Sequence, residues 1–139
     1  MTRWALLAAA AAALVATPAQ AASPVSLGPG RITALAVGEG TTYAVLDANS
    51  AKGPFTLRRG RTSLGTFGDR LSEFPDVAFH DGDVTVTWGE PISGGQALFA
   101  AGSRSLDDPI DLGFGTGPGR ITAGFDGTSV AYPDRSGDV

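Results

Sequence analysis

The stretch GPGRITA, residues 28–34, decides the fold because the same seven letters return at residues 117–123. The related peptides PVSL at 24–27 and PIDL at 109–112 stand just ahead of the two copies. A repeated pattern of this length in a chain of 139 residues is typical of duplicated building units. A middle version with a similar apolar pattern, FPDVAF at 74–79, falls near halfway in the 89-residue offset, so the repeat is about 44 residues long.

Each repeat unit is predicted to contain four short antiparallel strands, because apolar residues alternate with polar ones between turn residues. Asp81-Gly82, between two alternating runs, predicts a hairpin, since glycine accepts the positive φ of a tight turn. We expect units at residues 24–68, 69–113 and 114–139, the third incomplete. The predicted strands are 31–37, 42–46, 55–59 and 62–67 in the first unit, 74–79, 83–88, 96–101 and 109–112 in the second, and 120–123 and 128–132 in the third.

The first 21 residues have the pattern of a secretory signal peptide. Arg3 precedes an apolar run at 4–16, and Ala19-Gln20-Ala21 forms a small-residue cleavage site, so we expect a signal helix that is removed after Ala21. The alternative is an uncleaved membrane anchor, for which the apolar run is short, since a span needs about 20 residues. The chain has no cysteine, so stability outside the cell depends on packing without disulfides.

Composition and charge favour an exported all-β protein with an acidic surface. Glycine is abundant, with 20 residues, and short bursts of Val, Thr, Ile and Phe between glycines favour strands and turns. The formal net charge is −4, so no basic excess indicates a nucleic acid or an anionic membrane as partner. After removal of the leader, we expect a secreted domain with no membrane segment.

Four antiparallel strands repeating every 40 to 50 residues are the pattern of β-propeller blades. Over residues 24–139 the chain resembles the N-terminal part of a secreted bacterial β-propeller protein, in its repeat length, its strand count and its apolar-Asp-Gly-apolar hairpin. The resemblance implies about two and a half propeller-like blades. The WD dipeptide of one large propeller class and the complete S-x-D-x-G-x-T-W box of the sialidase type are absent.

Two and a half blades do not close a ring, since propellers have four to eight. The peptide at 24–27 matches a fourth strand with no three strands before it, and the third unit supplies only two strands. We therefore expect either a partial product of a larger propeller or a chain that completes its ring by self-association through open sheet edges. The structural alternative is a small open β-sandwich built from the same strands.

Arg31, Asp76 and Arg120 are the candidate ligand-binding residues, because they occupy the same place near the start of the first strand of each unit. First strands are innermost in a propeller, so two arginines near the channel could bind a carboxylate or phosphate bidentately. The alternative is that the three charges pair between neighbouring blades, each exposed pair contributing about 0 to 1 kcal/mol.

No other polar cluster predicts catalysis, a metal site or a cofactor. His80, the one histidine, stands beside Asp81 and Asp83 at a hairpin tip, where a solvated side chain is the simpler interpretation than a general base. Asp81, Asp83 and the separate group Asp107, Asp108 and Asp111 lack the spacing of calcium loops and are interpreted as turn residues.

Two aromatic residues and one basic cluster are interpreted as structural. Trp88 and Tyr132 close the second strands of successive units, where Asp47 stands in the first; packing between blades is favoured over a sugar-stacking platform. The run 58–61, RRGR, is interpreted as a solvated turn between strands.

Two classes of function remain. The first is a non-catalytic secreted repeat scaffold that binds a protein or glycan ligand, supported by the repeats and the lack of a nucleophile-base pair. The second is a partial sialidase-like or other glycan-processing propeller, with Arg31 and Arg120 as a carboxylate clamp. Fold class alone does not decide between them.

Overall fold

The computed structural model describes residues 26–48, 50–124 and 127–133, and this part of the chain is all-β, as the repeat pattern predicts. The leader, including Ala21, lies outside the described residues. No helix that is long and apolar enough to cross a bilayer occurs in the described part. Its strands are β1 (Arg31–Gly38), β2 (Thr41–Asp47), β3 (Phe55–Arg59), β4 (Thr62–Phe67), β5 (Glu73–His80), β6 (Asp83–Ile92), β7 (Gly95–Gly102), β8 (Ile110–Gly115), β9 (Arg120–Gly124) and β10 (Gly127–Ala131).

The strands form three antiparallel sheets in chain order, and the described chain completes one sheet before it begins the next. The first sheet has the order β1-β2-β3-β4, the second β5-β6-β7-β8, and the third pairs β9 with β10. The predicted strands are confirmed, although β6 continues to Ile92 and β8 to Gly115. Ser26 and Leu27 are not in a strand, and the rest of the peptide predicted as a fourth strand lies outside the described residues.

Tight two-residue turns set the register of the first two hairpins. Glu39-Gly40 joins β1 to β2 and Asp81-Gly82 joins β5 to β6, with φ of 49° and 70° in the first turn and 47° and 78° in the second. Positive φ at both central residues matches the right-handed twist of the flanking strands. The first strands of the three sheets therefore end 42 and 44 residues apart, at Gly38, His80 and Gly124.

The two complete sheets also share an irregularity between their third and fourth strands. β4 carries a bulge at Leu64 and β8 carries one at Leu112. Beside each bulge, a leucine of the third strand, Leu57 or Leu98, stands opposite a glycine with positive φ, Gly65 (148°) or Gly113 (99°). Because a bulge increases local twist, its repetition gives both sheets the same bend. The equivalence Leu57 to Leu98 then aligns Phe67 of β4 with Gly115 of β8.

The hydrophobic core lies between the first and second sheets. Ring centroids of Tyr43 and Phe79 are 5.6 Å apart, and those of Phe67 and Trp88 are 5.1 Å apart, so aromatic pairs join the two sheets. The core cluster consists of Tyr43, Val45, Phe55, Leu57, Phe67, Val77, Val84, Val86, Trp88, Ala101 and Leu106.

The third sheet packs on the second as the second packs on the first. β5 lies between β1 and β9. Counted from the hairpin ends, Trp88 and Tyr132 hold the same position. Trp88 contacts Phe67, while Tyr132 lies against Gly115, the equivalent of Phe67, and donates a 3.1 Å hydrogen bond to the carbonyl of Leu112. The same type of contact therefore joins the first sheet to the second and the second sheet to the third.

Candidate functional site

Arg31 and Arg120 line one depression of about 350 Å³ at the edge where β1 and β9 begin. Sequence spacing placed the two arginines in separate units, and the fold brings them to the same opening. The other lining residues are Ile32, Thr33, Ala51, Phe74 and Pro75.

Asp47 holds the Arg31 side chain in place. Its Oδ2 accepts hydrogen bonds from Arg31 Nη2 at 2.8 Å and Nε at 3.2 Å, and from the Ala51 amide at 3.0 Å. The Asp47 side chain is fully buried, whereas that of Arg31 is 54% exposed. Because the two residues face each other across the β1–β2 ladder, the pair fixes the guanidinium at the rim of the depression.

Arg120 is held much more loosely. Its Nη1 lies 3.9 Å from Oδ2 of Asp76, and its side chain is 73% exposed. The Asp76 carboxylate is engaged by the backbone, because it accepts the amides of Val77 at 3.0 Å and of Ile121 at 3.2 Å. Asp76 thus joins the second sheet to the third, and the charge of Arg120 is the less compensated of the two arginines.

The three predicted site residues do not hold equivalent positions in the ladders. Counted back from the hairpin ends, Asp76 and Arg120 are equivalent, and Ala34 is their counterpart in β1; Arg31 lies three residues earlier. β1 runs eight residues from Arg31 and contains a bulge between Ile32 and Ala34, whereas β9 has five residues. Both arginines therefore begin their strands, as the sequence predicts, but they stand at different distances from the hairpin turn that sets the register.

Backbone strain marks the depression. Four non-glycine residues in the described part have positive φ. Two of them, Glu39 and Asp81, are the hairpin turn residues, and the other two, Ala51 (60°) and Phe74 (51°), both line the depression. Left-handed backbone conformations are uncommon in residues other than glycine, and they concentrate at functional sites. Phe74 is also 47% exposed, so it presents an aromatic ring beside the arginines.

Sequence reasoning missed Phe74 and Asp47 as site residues. Phe74 served only to define the repeat, and Asp47 was interpreted as a counterpart of Trp88. The ladder instead aligns Leu46 with Trp88, one residue earlier than predicted. An acidic residue at the end of a strand, 16 residues after an arginine that begins the preceding strand, is the signal that could have indicated the Arg31–Asp47 pair.

The other polar candidates serve turns. His80 ends β5 opposite Asp83, whose Oδ1 accepts the Val84 amide at 2.8 Å and the Ser103 hydroxyl at 3.0 Å. Asp111 accepts the Gly113 amide at 2.7 Å. Within the described ranges, no group of three or more His, Cys, Asp or Glu residues could hold a metal ion.

Trp88 lies in the middle of β6 and does not close the strand. It is 3% exposed, stacks with Phe99 at 5.7 Å, and donates from Nε1 to Glu90 at 3.3 Å. Its ring is therefore packed between sheets and offers no face to a sugar. In the basic turn, the guanidinium of Arg58 donates to the carbonyl of Arg61.

No family model, curated protein or solved structure matches this chain.

Proposed function

We propose that the protein is a secreted, non-catalytic β-repeat scaffold of the propeller type, which binds an anionic group of a protein or glycan ligand in the Arg31–Arg120 depression. The observation that carries the proposal is the meeting of two arginines, an exposed aromatic ring and two strained backbone positions at one opening. Guanidinium groups bind carboxylates with paired hydrogen bonds, and an aromatic ring adds apolar contact area.

The scaffold part of the proposal is supported by the repeated packing of sheets. The first strands β1, β5 and β9 are neighbours, as successive inner strands are in propellers. The leader pattern with Arg3 and Ala21 supports export. The lining of the depression contains no carboxylate, imidazole or thiol, and the one hydroxyl, that of Thr33, donates to the Val45 carbonyl at 3.1 Å. This supports binding without catalysis.

Charge compensation limits the affinity. The two arginines stand beside two carboxylates, those of Asp47 and Asp76, so the four formal charges cancel. An exposed guanidinium-carboxylate contact contributes about 0 to 1 kcal/mol, whereas a Kd of 1 mM requires about 4 kcal/mol. A bare carboxylate therefore binds too weakly to measure, and a ligand must add apolar contact with Phe74.

Amide chemical-shift titration tests the proposal, with acetate, lactose and sialyllactose as probes. We expect saturable shifts with sialyllactose at a Kd of about 1 mM, confined to Ile32, Thr33, Ala51 and Phe74, and none with lactose or acetate. Arg120→Ala should abolish them without unfolding the protein, because Arg120 is exposed, and Arg104→Ala, at another exposed arginine, should leave them intact. Shifts that persist in Arg120→Ala would reject the site.

The second candidate function is a glycan-processing propeller in which Arg31 and Arg120 clamp a substrate carboxylate. The observation favouring it is that both arginines reach one depression. The same titration distinguishes the two functions, because an enzyme releases free sialic acid from sialyllactose over time and a scaffold does not.

A further inference from the structure

One face of the first sheet is apolar and open. Leu35 and Val37 on β1 are 55% and 72% exposed. The same ladder positions in the second sheet are Val77 and Phe79, which pack against the first sheet. The first sheet therefore presents outward the apolar pair that the second sheet buries.

The third sheet repeats this face once more. Ile121 and Ala123 of β9 are the equivalents of Leu35 and Val37, and Val130 and Thr128 stand across from them. The same type of face is thus covered in the second sheet, half-covered at Ile121 in the third, and open in the first. The strands that carry it, β5 and β9, pack on β1 and β5 of the preceding sheet.

In the first and second sheets, one side of the sheet packs against the next sheet along the chain. In the described chain, the corresponding side of β9 and β10, which faces away from the second sheet, is open. It consists of Thr122, Ser129 and Ala131, all exposed, with Arg120 opposite Ala131 at its end. Their ladder equivalents in the second sheet are Ala78, Thr85 and Thr87, which lie on the side of that sheet that receives β9. Small residues at Thr122, Ser129 and Ala131 let a further sheet approach closely beside Arg120.

We propose that two copies of this chain associate head to tail, with the β9–β10 face of one copy packed on the Leu35–Val37 face of the next. The contact continues the interface that the chain already uses between its sheets. It joins two different surfaces, so it generates a closed ring or an open chain of copies.

Analytical ultracentrifugation of the purified protein tests the contact, with one substitution on each face. Val37→Asp places a carboxylate in the apolar contact, and Thr122→Arg places a long cation on the opposite face. We expect each to weaken self-association by at least about tenfold. Both sites are exposed, so circular dichroism should show an unchanged fold. The matched controls are Ile92→Asp and Thr62→Arg, at exposed positions outside both faces, and they should associate like the unmodified chain.

Mixing the two variants tests whether the contact joins two different faces, head to tail. The Val37→Asp chain keeps an intact β9–β10 face and the Thr122→Arg chain keeps an intact Leu35–Val37 face, so the mixture should form one-to-one dimers although neither variant associates alone. The proposal is overturned if the unmodified protein stays monomeric. It is also overturned if Thr122→Arg leaves association unchanged, because the Leu35–Val37 faces would then pair with each other.

Discussion

Leu57→Ala and Leu98→Ala make the same change beside the bulge of two sheets, and we predict that their costs differ. Leu57 is 0% exposed and lies in the core between two four-stranded sheets. Leu98 is 2% exposed, but it faces the third sheet, whose described part has two strands, and it covers Gly115 and Gly119. A cavity costs most where its walls cannot move.

The expected loss of unfolding free energy is about 4 kcal/mol for Leu57→Ala and about 2.5 kcal/mol for Leu98→Ala, since the smaller sheet can shift inward to fill the space. At about 4 °C per kcal/mol, the melting temperature falls by about 16 °C and about 10 °C. Urea unfolding measures both values, and the m-value should stay unchanged, because the exposed area on unfolding is the same. Equal costs, or a larger cost for Leu98→Ala, would refute the inference that the second inter-sheet space is the more yielding one.

Two further pairs of substitutions test the local geometry by thermal unfolding. Gly38→Ala should cost about 3 kcal/mol, because a Cβ there would lie 1.9 Å from the ring of Phe79, while Gly40→Ala, in an open turn with φ of 70°, should cost about 1 kcal/mol; similar costs would contradict the close approach. Asp76→Ala should cost about 1–2 kcal/mol and speed amide exchange in β9, because it removes the acceptor of an inter-sheet amide, whereas Arg120→Ala should cost less than about 0.5 kcal/mol. A greater loss from Arg120→Ala would show that the exposed ion pair, not the backbone hydrogen bond, joins the sheets.

The order and extent of the strands could be predicted from the sequence because each strand depends on local alternation and local turn residues. Asp81-Gly82 forms the predicted two-residue turn, and Glu39-Gly40 forms its counterpart in the first sheet. The glycine-rich repeats also indicated the sheet boundaries, since each sheet is a meander of consecutive strands.

Arg31 and Arg120 both begin the first strand of their unit, as predicted, but their ladder positions differ, because identity of letters does not set hydrogen-bond register. Register counts from the hairpin turn, and the bulge between Ile32 and Ala34 lengthens β1 relative to β9. Nothing in the local pattern around Thr33 indicates a bulge. The depression itself depends on how three sheets pack, which is a long-range property that no single stretch encodes.

The role of Trp88 was correctly favoured as packing, for a reason that the sequence did not contain. Its partner Phe67 ends the fourth strand of the preceding sheet, 21 residues earlier in the chain. Only the serial stacking of sheets brings the two rings within 5.1 Å.

The most direct test of the repeated packing is a set of nuclear Overhauser effects between sheets in the purified protein. The structure predicts contacts from the Trp88 indole to the Phe67 ring and, at the equivalent place one sheet later, from the Tyr132 ring to the Hα atoms of Gly115. If the first contact is present and the second is absent, the third hairpin does not repeat the packing of the second sheet, and both the shared depression and the head-to-tail contact lose their foundation.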